Sequence, residues 1–188
     1  MRLKPEESKK LAQHLTNLIV NDKTVTLKTS RQKIQDTIEK VLLHHSEEER
    51  QIEQKSEKLY QERSGEFGTM DKGKALAMIR KQVAKENDDF ILSGAPEGRF
   101  SEDKISHMAH LVADTLFDDD LLDFKDEDEG PQFTKRVFTQ YFGKEDEINE
   151  KVRKKILGMN NAPFEGSRDW DILFRKYYEE EMRRISHG

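Results

Sequence analysis

A chain of 188 residues that is 38% charged and only 34% apolar has little material for a core, since an average soluble domain is about one-quarter charged. A net charge of −5 argues against a nucleic-acid-binding surface. The absence of cysteine excludes disulfides, thiolate metal sites and cysteine nucleophiles, and suits a reducing compartment.

The opening MRLKPEESKK lacks an apolar signal core, and no apolar run approaches the ~20 residues of a spanning helix. The expectation is a cytoplasmic protein without a membrane segment. The spacing predicts a first helix over residues 5–20 and a short extended piece over 24–27. A second helix is expected from Thr29, with Gln32 as capping-box partner, and a third from Ser46, with Glu49 in that role. A fourth covers about 70–88. The stretch SGAPEG, residues 93–98, reads as a linker. Beyond it come a helix over 102–117, an extended piece over 121–124, a helix from Pro131, another from Lys144 to Gly158, and a last helix over 168–185. Measured from Ile105 at ~100° per residue, Met108, Ala109, Val112 and Leu116 share one face of the helix that contains them.

The second half repeats the first at an offset of 97. Leu11, Ala12, Leu15 and Ile19 align with Met108, Ala109, Val112 and Leu116. Val25 and Leu27 align with Leu122 and Phe124, and Leu59, Phe67 and Leu76 with Ile156, Phe164 and Leu173. A shared apolar frame at one long offset is the signature of a repeat. The expected fold is therefore all-α: two tandem four-helix units, 1–92 and 99–188, joined by 93–98. The two extended pieces are placed to pair as a two-stranded patch between the copies. The halves differ in charge, with 18 Lys+Arg against 17 Asp+Glu in residues 1–97 and 15 against 21 in residues 98–188.

No enzyme constellation is present: no nucleophile elbow, P-loop, dinucleotide fingerprint or HExxH. The acidic run from Asp126 fails the calcium-loop pattern, with Pro131 and Val137 where Gly and Glu are required. His107, His110 and Asp114 line up at i, i+3 and i+7 and form a weak metal candidate, opposite the apolar stripe and without a fourth ligand. No cofactor is expected. In the last helix Ser167 is placed as N-cap, and Trp170, Leu173, Phe174 and Tyr177 share a face, so Trp170 is expected in the core. The competing reading is a partner-binding patch of Arg168, Trp170 and Tyr178, residue types enriched at hot spots.

The stretch FEGSRDWDILFRKYYEEEMRR, with the opening MRLKPEESKKLAQHL, resembles an uncharacterised bacterial family, the domain-of-unknown-function family 507 (DUF507). The resemblance covers nearly all of the second copy. In the first, TMDKGK stands where the second has GSRDWD. It implies a helical fold and no particular activity. The function expected is non-enzymatic, an interaction or structural module with a protein partner. The alternative is a nucleic-acid- or ribosome-associated factor, which the acids interleaved with the basic stretches oppose.

Overall fold

The computed structural model describes residues 2–88, 90–93, 100–126, 128–165 and 167–186, without the side chains of residues 145, 182, 183, 185 and 186. The chain is all-α apart from one two-stranded patch. Helix α1 (Pro5–Asn21) is followed by strand β1 (Val25–Leu27), a long helix α2 (Arg31–Glu62), a 3-10 turn (Ser64–Phe67) and α3 (Lys72–Glu86). The order then recurs as α4 (Glu102–Asp118), β2 (Leu122–Phe124), a long α5 (Glu129–Leu157) and α6 (Arg168–Ser186). Most of the expected linker, residues 94–98, lies outside the described residues.

Among the described residues each half thus has three α-helices where four were expected. The proposed break at Ser46 does not occur. The segment VLLHHSEEERQIEQ contains neither Gly nor Pro, and its two capping-type side chains have tertiary partners instead. The Ser46 hydroxyl donates to the Leu3 carbonyl at 2.5 Å, and Glu49 is buried in an ion pair described below. In α5, Gly143 costs a helix interior about 1 kcal/mol relative to Ala and does not end it. Other caps fall close to expectation. The hydroxyl of Ser30, one residue after Thr29, accepts from the Lys33 amide, and that of Ser167 accepts from the Trp170 amide at 3.2 Å. Each satisfies one orphan N–H of a first turn.

The strands pair antiparallel, with Val25 opposite Phe124, Thr26 opposite Asp123 and Leu27 opposite Leu122. This register sets Thr26 against its own equivalent at offset 97, so the patch has a local twofold through the Thr26–Asp123 pair. Lys28 extends the pairing through its amide to the Leu121 carbonyl at 3.0 Å. Its ammonium pairs with Asp120 and Asp123 at 2.5 and 2.8 Å. Gly130 lets α5 start close beside the patch: a Cβ there would lie 2.8 Å from the Phe124 ring and force that ring to shift.

By contacts the chain forms two compact units, residues 1–139 and 140–188, divided within α5. This division is not that of the repeat. In the first unit α2 packs against α1, α3 and α4. The repeat-related residues Leu11, Ala12, Leu15, Ile19, Met108, Ala109, Val112 and Leu116 are all buried. At the α3 end, Ile52, Ile79 and Val83 gather Leu59, Tyr60, Phe67 and Phe90. In the second unit Ile148, Val152, Ile156 and Trp170 form the core. No helix among the described residues is long and apolar enough to cross a membrane.

Candidate functional site

Two places in the structure carry more chemistry than packing needs. The first is a buried polar cluster between α2 and α4. Lys104 and Glu49 are 1% and 3% exposed, and the Lys104 ammonium lies 3.1 Å from Glu49 Oε2. It also donates to the Ile91 carbonyl at 2.5 Å and sits 4.4 Å from the Phe90 ring centroid. Glu49 accepts from the Ser93 amide at 2.7 Å and the Ser93 hydroxyl at 2.8 Å. Burial pushes the Lys104 ammonium below the ordinary lysine range, and Glu49 opposes that shift. The pair therefore clamps residues 90–93 onto α2 and α4. Both charges are buried and bonded to groups of the protein interior, which fits a structural role.

His45 completes the cluster. It is 4% exposed, stacks on Phe90 at 4.7 Å and faces His107 at 5.3 Å. Neither of its ring nitrogens has a hydrogen-bond partner among the described residues. Burial pushes its imidazole down to about 3, with the Lys104 charge next in effect. The unfolded chain, with its ordinary value near 6.5, then binds the proton first as pH falls. This contribution to stability is complete above pH 6.5 and is lost progressively toward pH 3. The expected loss from this one group between pH 7 and pH 4.5 is about 2–3 kcal/mol. Urea unfolding across that range, compared with His45→Phe, measures it. The variant should show a shallower pH dependence, and an unchanged slope would assign the acid sensitivity elsewhere. Beside His45 a cleft of about 470 Å³ runs between α2 and α4, lined by Lys33, Lys40, Asp36, Glu48 and Asp119 among others. Its charges are mixed and select no ligand class.

The second place is the connection between α5 and α6. Ile148, Val152 and Ile156 bury one stripe of α5, so Arg153, Lys154 and Leu157 fall on the outer face. Leu157 is 59% exposed. An ion pair of 2.8 Å between Arg153 and Glu165 draws the connection back along that face. Its neighbour Phe164 is 86% exposed. The equivalent Phe67 is instead stacked on Tyr60 at 5.8 Å and packed against the α3 core. The sequence from Lys151 to Arg168 holds five basic residues and one acidic. Two exposed apolar side chains, Leu157 and Phe164, and these basic residues thus share the α5–α6 connection of the second unit.

The adjoining α6 gives the Trp170 reading its answer. Trp170 is 4% exposed and packed with Ile148, Val152 and Ile156, with Leu173, Phe174, Tyr177 and Tyr178 around them. The ring of Tyr177 lies 3.8 Å from the Lys155 ammonium. Residues 1–186 of the 188 match the family model described as a protein of unknown function, DUF507.

The chain belongs to the DUF507 family.

The match includes the first half, where TMDKGK replaces GSRDWD, as well as the second, on which the resemblance rests chiefly. No curated protein matches the sequence. In this DUF507 protein Arg168 is exposed and Tyr178 half-buried against Phe174, while Trp170 is inside the core. The three residues of the partner-binding reading are therefore split between surface and interior. His107, His110 and Asp114 are divided too: His107 is half-buried against His45, whereas Asp114 is exposed and His110 bonds the Ser106 carbonyl at 2.8 Å. Among the described residues no three His, Asp or Glu side chains gather as a metal site. Sequence reasoning missed both Lys104 and Phe164. For Lys104 a signal existed: it lies four residues before Met108 and eight before Val112, inside the apolar stripe. For Phe164 the repeat misled, because its partner Phe67 is packed.

Proposed function

We propose that this DUF507 protein is a non-enzymatic, cytoplasmic interaction module built by tandem duplication, which docks a protein partner through the patch at the α5–α6 connection. The observation that carries the reading is Phe164, 86% exposed on a connection that also exposes Leu157 and carries basic residues. Exposed large apolar groups on one short basic stretch fit a binding surface. The duplication reading draws on the twice-repeated element order and on the symmetric register of β1 and β2. The rival, a nucleic-acid- or ribosome-associated factor, draws on the basic run from Lys151 to Lys155. It is disfavoured because Glu150 and Glu165 interrupt the basic run and would oppose a phosphate backbone.

Affinity capture from the native host tests the proposal with wild type, Phe164→Ser and Arg168→Ala. Phe164→Ser should change stability by less than about 0.5 kcal/mol, as surface substitutions do, and should remove the specifically retained protein. Arg168→Ala should weaken its retention. A set of captured proteins that is the same with Phe164→Ser and wild type would overturn the assignment of the patch.

A further inference from the structure

We infer that the occupant of this apolar, cationic patch is a second copy of the same chain, seated through the acidic face around Phe117. The inference rests on the docking role proposed for Phe164. Its own ground is charge complementarity within one sequence. From Asp114 to Glu129 there are nine acidic residues and one basic, the reverse of the run from Lys151 to Arg168; Asp120 and Asp123 are paired with Lys28, which leaves Asp114 and Asp118 as the charges beside Phe117. Phe117 is 50% exposed at the end of α4, and Asp114 and Asp118, both exposed, flank it on the side away from the buried stripe of Met108, Val112 and Leu116. Each charged face therefore presents a solvent-exposed phenylalanine, one in an acidic setting and one in a basic setting. Phe164 can pack against Phe117 while Lys154, 79% exposed, meets the aspartates. A continuous phosphate surface, whether lipid or nucleic acid, would have to accommodate Glu150 and Glu165 within the same patch. A discrete acidic face of limited width can leave Glu150 outside, and Glu165 is held by Arg153. The contact joins two different surfaces, so it is heterologous, and copies add head to tail.

Sedimentation velocity from about 1 µM to about 1 mM covers the affinities of such contacts. At ~0.1 M salt the wild-type average mass should rise with concentration beyond that of a dimer, and at ~1 M salt, where the Debye length falls to about 3 Å, it should return to that of one chain. Phe164→Ser, Phe117→Ser and Lys154→Glu should each remain monomeric, with circular dichroism unchanged. The decisive sample is an equimolar mixture of Phe164→Ser and Phe117→Ser. Each retains one intact face, so the mixture should form dimers and nothing larger. A monomeric wild type throughout, a dimer indifferent to both phenylalanine replacements, or a mixture that stays monomeric would overturn the inference. So would a monomer that binds vesicles of 30% anionic lipid through Phe164. If wild type stays monomeric while Phe164→Ser still loses its host partner, self-assembly falls and the docking role stands. If Phe164→Ser loses neither, both fall.

Discussion

Glu49→Leu is expected to destabilise the protein by about 3–5 kcal/mol, the range for stranding one member of a buried ion pair. The substitution leaves the Lys104 ammonium without its carboxylate at a site 1% exposed, and it removes the acceptor for the amide and hydroxyl of Ser93. Lys104→Met should cost a comparable amount for the mirror reason, an unpaired buried carboxylate. The two costs should not add. In the double variant neither charge is buried, and the remaining penalty comes from the Ser93 amide and the Ile91 carbonyl, which have lost their partners. A coupling of about 2 kcal/mol is expected, within the range for directly contacting groups. Urea denaturation of wild type, both single variants and the double variant measures it. Single variants that each lose less than about 1 kcal/mol would mean that water reaches the pair, and that residues 90–93 are held by packing alone.

Trp170→Ala is expected to cost about 3–5 kcal/mol, as deletion of a large buried aromatic does. Trp170 closes the core of the second unit over Ile148, Val152 and Ile156, and the truncation would leave a void next to Leu173, Phe174 and Tyr177. Ile172→Ala, on the opposite face of α6 and 58% exposed, is the matched control and should change stability by less than about 0.5 kcal/mol. Denaturation followed by circular dichroism reads both. A midpoint that barely moves for Trp170→Ala would place the indole at the surface. The first half has Gly73 at the equivalent position, and Met70, Met78 and Phe67 are the candidates to fill the gap. Met70 and Met78 are 41% and 58% exposed, whereas Phe67 packs against the α3 core.

The sequence by itself determined whatever depends on local periodicity. The stripe of Ile105, Met108, Ala109, Val112 and Leu116 follows from 3.6 residues per turn. The place of Trp170 among Leu173, Phe174 and Tyr177 follows in the same way. The pairing of the two extended pieces was legible as well, because equal apolar frames at offset 97 bring like edges together. Only the tertiary structure decided matters of partnership. SEEE at 46–49 has the spacing of a helix start, yet α2 runs through it. Ser46 and Glu49 satisfy groups on Leu3, Ser93 and Lys104 that are 43 to 55 residues away. A helical wheel can show that Lys104 and Glu49 each face inward, but it carries no information about which inward charges meet. The fate of Phe164 was hidden for the complementary reason. Whether a loop aromatic is covered depends on a neighbour such as Tyr60. At the matching place in the second half the chain has Leu157, which is itself exposed.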